Sequence, residues 1–240
     1  MLQDLIHNIL YDFSYLALSA ISFGYFMVLY FGIGTLFLFG CKQLERLKIL
    51  HKIESKALEK KQTTFEISQS MKSIIIFGFS VVPVIYLIRT DFIVLLPNTW
   101  PTIMLGIVLL TLWNEVHFFV IHRLMHFNFF MKHVHFIHHK SRIPTIYSVY
   151  SFHWFEAVLL STVPLTILPF IPFSIVAVFI YPLISILLNF AGHCNYRFGE
   201  GKGNRWVNFG TAHNEHHTKG RKNYGFALNF LDKLYAKRIR

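Results

Sequence analysis

Histidines are the residues of this chain whose type and spacing point most directly to chemistry. Seven of the fourteen lie within residues 115–139. There the chain contains an H-x-x-x-H pair, whose two rings a helix would place on one face, and then an H-x-x-H-H triplet. A second H-x-x-H-H triplet lies near the C-terminus. The three motifs supply eight imidazoles: His122, His126, His135, His138, His139, His213, His216 and His217.

Eight regularly spaced imidazoles predict a site for two metal ions. Imidazole binds zinc, copper, iron and nickel, and a zinc hydrolase needs only about three protein ligands. The surplus of histidines therefore favours two ions. Three classes of protein remain open on this pattern: an oxidoreductase with a redox metal, a zinc-dependent membrane lipid hydrolase, and a non-catalytic metal-binding membrane protein. Transporters usually place polar ligands within their spanning helices, whereas these histidines follow the apolar runs.

The chain as a whole has the composition of a membrane protein. Hydrophobic residues make up 54% of the 240, phenylalanine alone accounts for 26, and the mean hydropathy is +0.46. About 20 apolar residues suffice to cross a bilayer as a helix. We therefore predict an all-α integral membrane fold of about four to five spanning helices, in a single domain over residues 1–240. The apolar runs cover residues 13–40, 73–88, 103–121 and 157–190.

Two segments are predicted in more detail. Leu44, Leu47, Leu50 and Ile53 recur every three residues among charges, which favours an amphipathic helix at the membrane surface within residues 41–72. A solvated linker helix is the alternative. Prolines interrupt residues 157–190, so we expect a helical hairpin that turns near residues 169–172.

The distribution of charge predicts the orientation in the membrane. The net charge is +11, and segments 41–72, 122–153 and 191–240 contain 22 of the 23 lysines and arginines. The positive-inside rule makes this side, with the histidines and the C-terminus, cytoplasmic. Lipid headgroups rather than nucleic acid are the expected partner of these charges. Cys41 and Cys194 fall on the same reducing side and are expected as free thiols. No basic region precedes the first apolar run, so we expect that run to remain as an anchor.

The motifs resemble those of the membrane fatty acid hydroxylase/sterol desaturase superfamily, which surround a di-iron centre. The matching residues are 122–126, 135–139 and 213–217, and the segments 152–158, 192–196 and 223–235 are also similar. The last segment is nearest the C5-sterol-desaturase-like branch. Departures include Glu115 where aspartate is usual and Trp154 in place of proline. The resemblance begins near Glu115 and implies a catalytic core over about residues 102–240.

The resemblance implies that the eight motif histidines bind two iron ions and that O2 is the co-substrate. The implied reaction is hydroxylation or desaturation of a lipid with a fatty acyl, sterol-like or isoprenoid skeleton. Zinc is expected to replace iron adventitiously, because imidazole binds it readily. His193 is implied as a ninth ligand, and His153 as a ligand or a supporting residue.

Four residues are expected to act beside the histidines. Glu115 and Glu156, together with Glu215, are expected to accept hydrogen bonds from ligand rings and so to fix their orientation. Tyr224 is expected to cap the cavity.

Oxygen chemistry also needs electrons. The sequence shows no G-x-G-x-x-G fingerprint, no cysteine cluster and no appended haem domain. A separate electron donor is therefore expected, either a ferredoxin or a cytochrome b5-like protein with its reductase. Lys219, Arg221 and Lys222 are expected to steer an acidic donor, or to hold the segment at anionic lipid.

Overall fold

Four long apolar helical segments form the framework of the protein in a computed structural model, which describes residues 2–198, 207, 209–220 and 222–238. Each segment is long and apolar enough to cross a membrane. Within the described residues there are four such segments: Tyr15–Arg46, Gln62–Arg89, Trp100–Met125 and Ile175–His193. The predicted all-α, multi-pass membrane fold is confirmed.

The elements follow one another along the chain with few strands between them. The α-helices are α1 (Leu2–Tyr11), α2 (Tyr15–Met27), α3 (Gly34–Arg46), α4 (Gln62–Phe79), α5 (Val81–Arg89), α6 (Trp100–Met125), α7 (Asn128–Phe130), α8 (Phe136–His139), α9 (Trp154–Ser161), α10 (Ile175–His193), α11 (Thr211–Lys219) and α12 (Phe230–Arg238). The strands are β1 (His51–Lys52), β2 (Leu95–Leu96), β3 (Phe173–Ser174) and β4 (Tyr196–Arg197). Segments of π-helix, Val28–Ile33 and Met131–His135, join α2 to α3 and α7 to α8, and short 3₁₀ turns cover Ile146–Ser148 and Pro164–Thr166.

The two helices whose C-terminal ends carry His122 and His193 begin with side-chain caps. Thr99 and Thr102 form a reciprocal capping box at the start of α6, and Pro101 occupies its first turn, where a missing N–H costs little. Ser174 caps α10 by accepting from the backbone N–H of Ala177. Helix α6 then continues for 26 residues to Met125, and α10 for 19 residues to His193.

Helices α6 and α10 pack closely at the end away from the histidines. A Cβ atom built on Gly106 would lie 2.7 Å from the Cβ atom of Ala177. Only a residue without a side chain allows this approach, so the two helix axes converge there.

Two short strand pairs tie the loops together at opposite ends of the helices. Strand β1 pairs antiparallel with β4, which brings the loop after α3 beside the segment that follows His193. Strand β2 pairs in parallel with β3, and Ser174 donates a hydrogen bond to Asn98 Oδ1 at 2.7 Å. The loop over residues 47–61 therefore lies at the histidine end of the bundle, and Asn98 lies at the other end.

The predicted amphipathic helix within residues 41–72, and the linker helix considered beside it, are wrong between Arg46 and Gln62, where α3 has ended and α4 has not begun. Helix α3 ends at Arg46, and Lys48 adopts the left-handed conformation with φ of 60°. Ile49 N then donates to Leu44 O, and Lys48 N donates to Glu45 O, which together make a Schellman motif. The chain reverses, and Leu50 is buried in the core instead of lying on a helix face.

The structure also differs from the helical hairpin predicted within residues 157–190. Helix α9 has only eight residues and gives way to the 3₁₀ turn at Pro164, so it does not form a spanning arm. The chain does turn near residues 169–172, where the backbone N–H groups of Phe170 and Ile171 both donate to Ile167 O. Cys41 and Cys194 are free cysteines in the structure, and both are buried.

Candidate metal centre

Nine of the ten predicted metal-binding histidines meet at the C-terminal ends of α6 and α10. They form two groups, and within each group the ring nitrogens that could bind an ion lie within 4.8 Å of one another. Group one contains His122, His126, His135, His139 and His216, and group two contains His138, His193, His213 and His217.

Neighbouring histidines in the sequence belong to different groups. His138 belongs to group two, whereas His139 belongs to group one. The same alternation occurs at His216 and His217. Successive side chains on a helix diverge by about 100°, so one H-H dipeptide can serve two sites. Each H-x-x-H-H triplet therefore bridges both groups.

The ring nitrogens in group two have the spacing of ligands to one ion. His213 Nε2 lies 3.0 Å from His193 Nε2 and 3.1 Å from His217 Nε2. His138 Nε2 lies 3.4 Å from His193 Nε2. Two imidazole nitrogens at about 2.1 Å from a common ion are separated by about 3.0–3.4 Å for bond angles of about 90–110°. Group two therefore fits a single metal ion.

Group one shows the same convergence, with orphaned nitrogens at its centre. His126 Nε2 and His216 Nε2 lie 3.2 Å apart. The Nε2 atoms of His122, His135 and His139 are buried and have no hydrogen-bond partner among the described residues. Buried polar atoms normally find partners, so these three nitrogens fit a ligand that completes the site.

Backbone carbonyls fix the tautomer of three rings. His122 Nδ1 bonds to Tyr224 O at 2.8 Å, His216 Nδ1 to Lys222 O at 2.7 Å, and His193 Nδ1 to Asn189 O at 3.0 Å. A carbonyl only accepts, so each Nδ1 bears the proton and donates it. Each Nε2 then keeps its lone pair and points into its group.

Burial keeps the imidazoles neutral. It lowers the pKa of His126, His139 and His216 to about 3, with a further lowering from neighbouring imidazoles. The same causes lower the pKa values of the other rings outside the spanning segments, namely His135, His138, His213 and His217. Neutral imidazole is the form that binds metal ions, and the lowered pKa values maintain it at physiological pH.

Glu156 supports group one through His135. Its Oε1 atom lies 2.7 Å from His135 Nδ1, and both side chains are buried. Burial raises the pKa of Glu156 well above its usual range and lowers that of His135. Without a bound cation the neutral form of the pair is therefore favoured. Glu156 thus contacts a ring of group one, and its role in orienting that ring stays a prediction.

The family comparison covers the part of the chain that holds these groups. The family model for fatty acid hydroxylase matches residues 107–236, which is more than half of the chain. The chain belongs to the fatty acid hydroxylase family. Over 140 residues the protein is also 25% identical to lathosterol oxidase of Rattus norvegicus, and the aligned region covers 58% of this chain and 46% of that relative.

The fatty acid hydroxylase match and the sterol-oxidase relative confirm the resemblance to this superfamily and its sterol-desaturase-like branch. The chain spans less than half the length of the curated relative that it matches. No solved structure matches the chain.

Two predicted acidic partners contact something other than a histidine. The Glu115 carboxylate accepts from the backbone N–H of Ala227 at 3.0 Å and from that of Leu228 at 3.2 Å. Glu115 therefore ties the C-terminal segment of residues 223–235 to α6. Glu215 forms ion pairs with Lys219 at 2.7 Å and Lys222 at 2.9 Å, which lower the pKa of its carboxyl group.

His153 lies outside both groups. Its Nδ1 atom accepts from the backbone N–H of Phe155 at 3.2 Å, so the ring caps the start of α9. His117 contacts the Thr162 hydroxyl at 3.1 Å, and His133 is exposed. The structure thus separates His153 from the nine clustered rings.

Tyr224 packs against group one. Its ring centroid lies 4.9 Å from that of His126 and 5.5 Å from that of His216. The Arg123 guanidinium carbon stacks 4.5 Å from the centre of the same ring and also lies over Tyr235, whose hydroxyl it hydrogen-bonds. Arg123 was missed at the sequence level, although it directly follows His122 in the first motif.

A cavity of about 120 Å³ lies between the spanning helices, close to the histidine groups. Two aromatic residues that line the cavity are in ring contact with histidines of the two groups. The Phe118 ring centroid lies 4.9 Å from that of His122, and the Phe152 centroid lies 4.9 Å from that of His138. The lining of the cavity thus contacts one histidine of each group. No pattern in the sequence indicated it, because its walls come from separate elements.

Proposed function

We propose that the protein is an oxygen-dependent oxidoreductase of membrane lipids, in which each histidine group holds one iron ion. The observation that supports this proposal most directly is the convergence of nine ring nitrogens into two adjacent groups. We propose a single domain over residues 1–240, with the catalytic core in residues 102–240. The family match over residues 107–236 includes every histidine of both groups.

Two bound iron ions would supply the redox chemistry with which O2 hydroxylates or desaturates an unactivated C–H position. The protein side chains prepare that site. Glu156 and the carbonyls of Tyr224 and Lys222 hold three rings of group one in place, and such supporting contacts raise metal affinity. Phe118 and Phe152 form the apolar boundary across which a lipid approaches the histidines.

The proposed substrate is a lipid with a fatty acyl, sterol-like or isoprenoid skeleton. The fatty acid hydroxylase family and the name of the relative, lathosterol oxidase, both support a lipid substrate. The cavity within the spanning helices is lined mainly by aromatic and aliphatic side chains, which suits such a molecule.

A separate electron donor is proposed, either a ferredoxin or a cytochrome b5-like protein with its reductase. Lys219 and Lys222 are exposed beside the second triplet, at the histidine end of the bundle. An acidic donor would be attracted to such a basic face. Arg221, the third predicted contact, lies outside the described residues. The 22-to-1 partition of basic residues supports a cytoplasmic position for this end.

Metal analysis of the purified protein tests the proposal. Protein from iron-replete cells should contain about two iron ions per chain, with some zinc replacing iron. Changing His135, His138 and His139 together to alanine removes ligands from both groups and should abolish binding. A matched variant that removes three exposed histidines, His7, His51 and His133, should keep both ions. One metal ion per chain, or metal retained in the first variant, would contradict the proposal.

The reaction class is tested by comparing the lipids of cells that express the wild type with those of cells that express the His135/His138/His139 variant. Mass spectrometry should show a lipid that gains one oxygen or loses two hydrogens only with the wild type and only in air. Product formation without oxygen, in protein that contains zinc, would instead identify a hydrolase. Metal binding without any lipid product would identify a non-catalytic protein.

A further inference from the structure

Helix α4 has a buried polar face where it begins, at the histidine end of the bundle. Gln62, Glu66 and Ser70 are four residues apart, so they lie on one face of the helix, and all three are buried. A buried carboxylate is costly unless hydrogen bonds or a cation stabilise it. Among the described residues no cationic side chain forms an ion pair with Glu66. Hydrogen bonds therefore stabilise its carboxyl group.

Both oxygens of the Glu66 side chain accept hydrogen bonds. Oε1 accepts from Gln62 Nε2 at 2.7 Å, and Oε2 accepts from the Thr145 hydroxyl at 2.5 Å. The Ser141 hydroxyl lies beside the same carboxyl group. Gln62 Nε2 also donates to Ile143 O at 2.8 Å. The partners outside α4 all belong to the loop that follows α8.

This α8–α9 loop, residues 140–152, begins and ends against one histidine dipeptide. It starts directly after His139, and its last residue, Phe152, returns to His138, with ring centroids 4.9 Å apart. His138 belongs to group two and His139 to group one. A displacement of the loop would therefore move histidines of both groups.

The polar face of α4 also holds the middle of the α8–α9 loop. Thr145 caps the 3₁₀ turn Ile146–Ser148 by accepting from the backbone N–H of Tyr147 at 3.1 Å. The hydroxyl groups of Ser70 and Tyr30 donate to Tyr147 O at 2.9 and 2.7 Å. Helix α4 therefore fixes the turn through both its cap and one of its carbonyl groups.

We propose that Glu66 is a positioning residue for the metal centre, because it holds the loop that orients His138 and His139. A carboxylate suits this place, since it only accepts and both Gln62 and Thr145 donate to it. An aliphatic side chain would leave these two buried donors without their acceptor.

This inference rests on the proposed function, because it concerns the same two metal ions. It adds a contact from outside the proposed catalytic core. Glu66 lies before residues 107–236, which the family model matches. Helix α4 thus contributes to the metal centre although it provides none of the clustered histidines.

Binding of Co²⁺ tests the inference without any turnover. Imidazole sites bind this ion, and its visible absorption changes with the number and geometry of its ligands. Full-length protein, stripped of metal with a chelator, should bind about two ions per chain. Glu66→Leu should weaken the binding of both ions at least about tenfold and change the spectrum. Glu66→Gln should lose less, because its amide oxygen still accepts one hydrogen bond.

The same hydrogen bond can be removed from the side of the loop. Thr145→Val preserves the shape of the side chain and should also weaken the binding of Co²⁺. If Glu66 acts through Thr145, the double variant should bind Co²⁺ no more weakly than the weaker single variant. Thr145→Val also provides the test if Glu66→Leu fails to fold.

A control at the far end of the same spanning segment separates positioning from general stability. Ile88 is buried in α5, away from the histidines, so Ile88→Ala should lower the melting temperature and keep the wild-type affinity for Co²⁺. Wild-type binding in Glu66→Leu or Thr145→Val, or an equal loss in Ile88→Ala, would overturn the inference alone. Wild-type protein that binds no metal ion would overturn the proposed function and the inference with it.

Discussion

The Nε2 atoms of His193 and His213 lie 3.0 Å apart, although the two residues belong to α10 and α11 and are separated by 20 positions. The other nitrogen of His193 is engaged by Asn189 O, so only Nε2 remains to bind an ion. His193 thus joins a spanning helix directly to the second triplet.

We predict that His193→Gln lowers iron from about two ions per chain to about one and reduces turnover by at least about tenfold. The amide side chain binds iron more weakly than imidazole, and only group two loses a ligand. Elemental analysis and a turnover assay check this. His153→Asn is the matched control, since asparagine also caps helices, and it should keep two ions. Full metal content in His193→Gln would remove that residue from the site.

Glu156→Leu should weaken iron binding by about 10- to 100-fold, because His135 loses the group that orients it. Glu156→Gln retains an oxygen that accepts from the ring and should have a much smaller effect. Competition with a chelator of known affinity measures both values. Equal losses in the two variants would show that the charge of Glu156, and not its hydrogen bond to His135, matters.

The Glu115 carboxylate satisfies backbone N–H groups of Ala227 and Leu228. Glu115→Leu should therefore destabilise the protein by about 2–3 kcal/mol, since buried donors lose their acceptor. Glu115→Gln keeps one acceptor oxygen and should lose less. Thermal unfolding in detergent, followed by tryptophan fluorescence, compares the two. Wild-type stability in Glu115→Leu would show that residues 223–235 are held by other contacts.

The hydrogen-bond partners of Glu115 also show which contacts the sequence could not predict. The histidine spacings led to the hypothesis of a two-ion site, because helical periodicity is local. They did not show that His138 and His139 serve different groups, since that depends on how α8 and α11 face each other. Glu115 was expected beside a ligand ring, yet its partners lie 112 and 113 residues away in an irregular segment.

Local patterns were least informative where the chain changes direction. Residues 41–72 have helical spacing of leucines, but α3 ends in a motif whose left-handed residue is Lys48 rather than glycine. Without glycine at that position, the usual signal for a helix end is absent. Conversely, the apolar length of the four spans was evident from composition, because a bilayer requires about 20 residues of that kind.

Metal-free protein should lose stability as the pH falls below about 6.5. Burial lowers the pKa of His126, His139 and His216 to about 3 in the folded state, whereas unfolded histidine titrates near 6.5. Between these values the unfolded chain binds more protons, so acidification favours unfolding. The contribution of these histidines to the free energy of unfolding is therefore fully present above pH 6.5 and declines towards pH 3.

Melting temperatures of chelator-treated protein at pH 7.5, 6 and 5 measure this dependence. Replacing the three residues together by glutamine should reduce this dependence, and the other buried histidines should account for the remainder. The variant that lacks His7, His51 and His133 should behave like the wild type. A melting temperature that is constant across this range would contradict the prediction.

For orientation, we predict that reporters fused after Lys61 and Arg240 are cytoplasmic and that one inserted near Asn98 is exterior. The pairing of β1 with β4 places residues 47–61 at the histidine end, and the bond between Asn98 and Ser174 lies at the other. The basic residues select which end faces inward. A cytoplasmic reporter at Asn98 would contradict the proposed orientation.

Helix α11 has consequences for the order in which the protein is assembled. It has nine residues, and three of them are histidines of the two groups. A helix of this length is marginal by itself, whereas the spanning helices are stabilised by the bilayer as soon as they are inserted. We therefore expect α11 to become ordered only when metal arrives, which hydrogen exchange at its backbone amides would reveal. Loading with metal would then be the last step of biosynthesis, and a cell short of iron would accumulate inserted but unfinished protein.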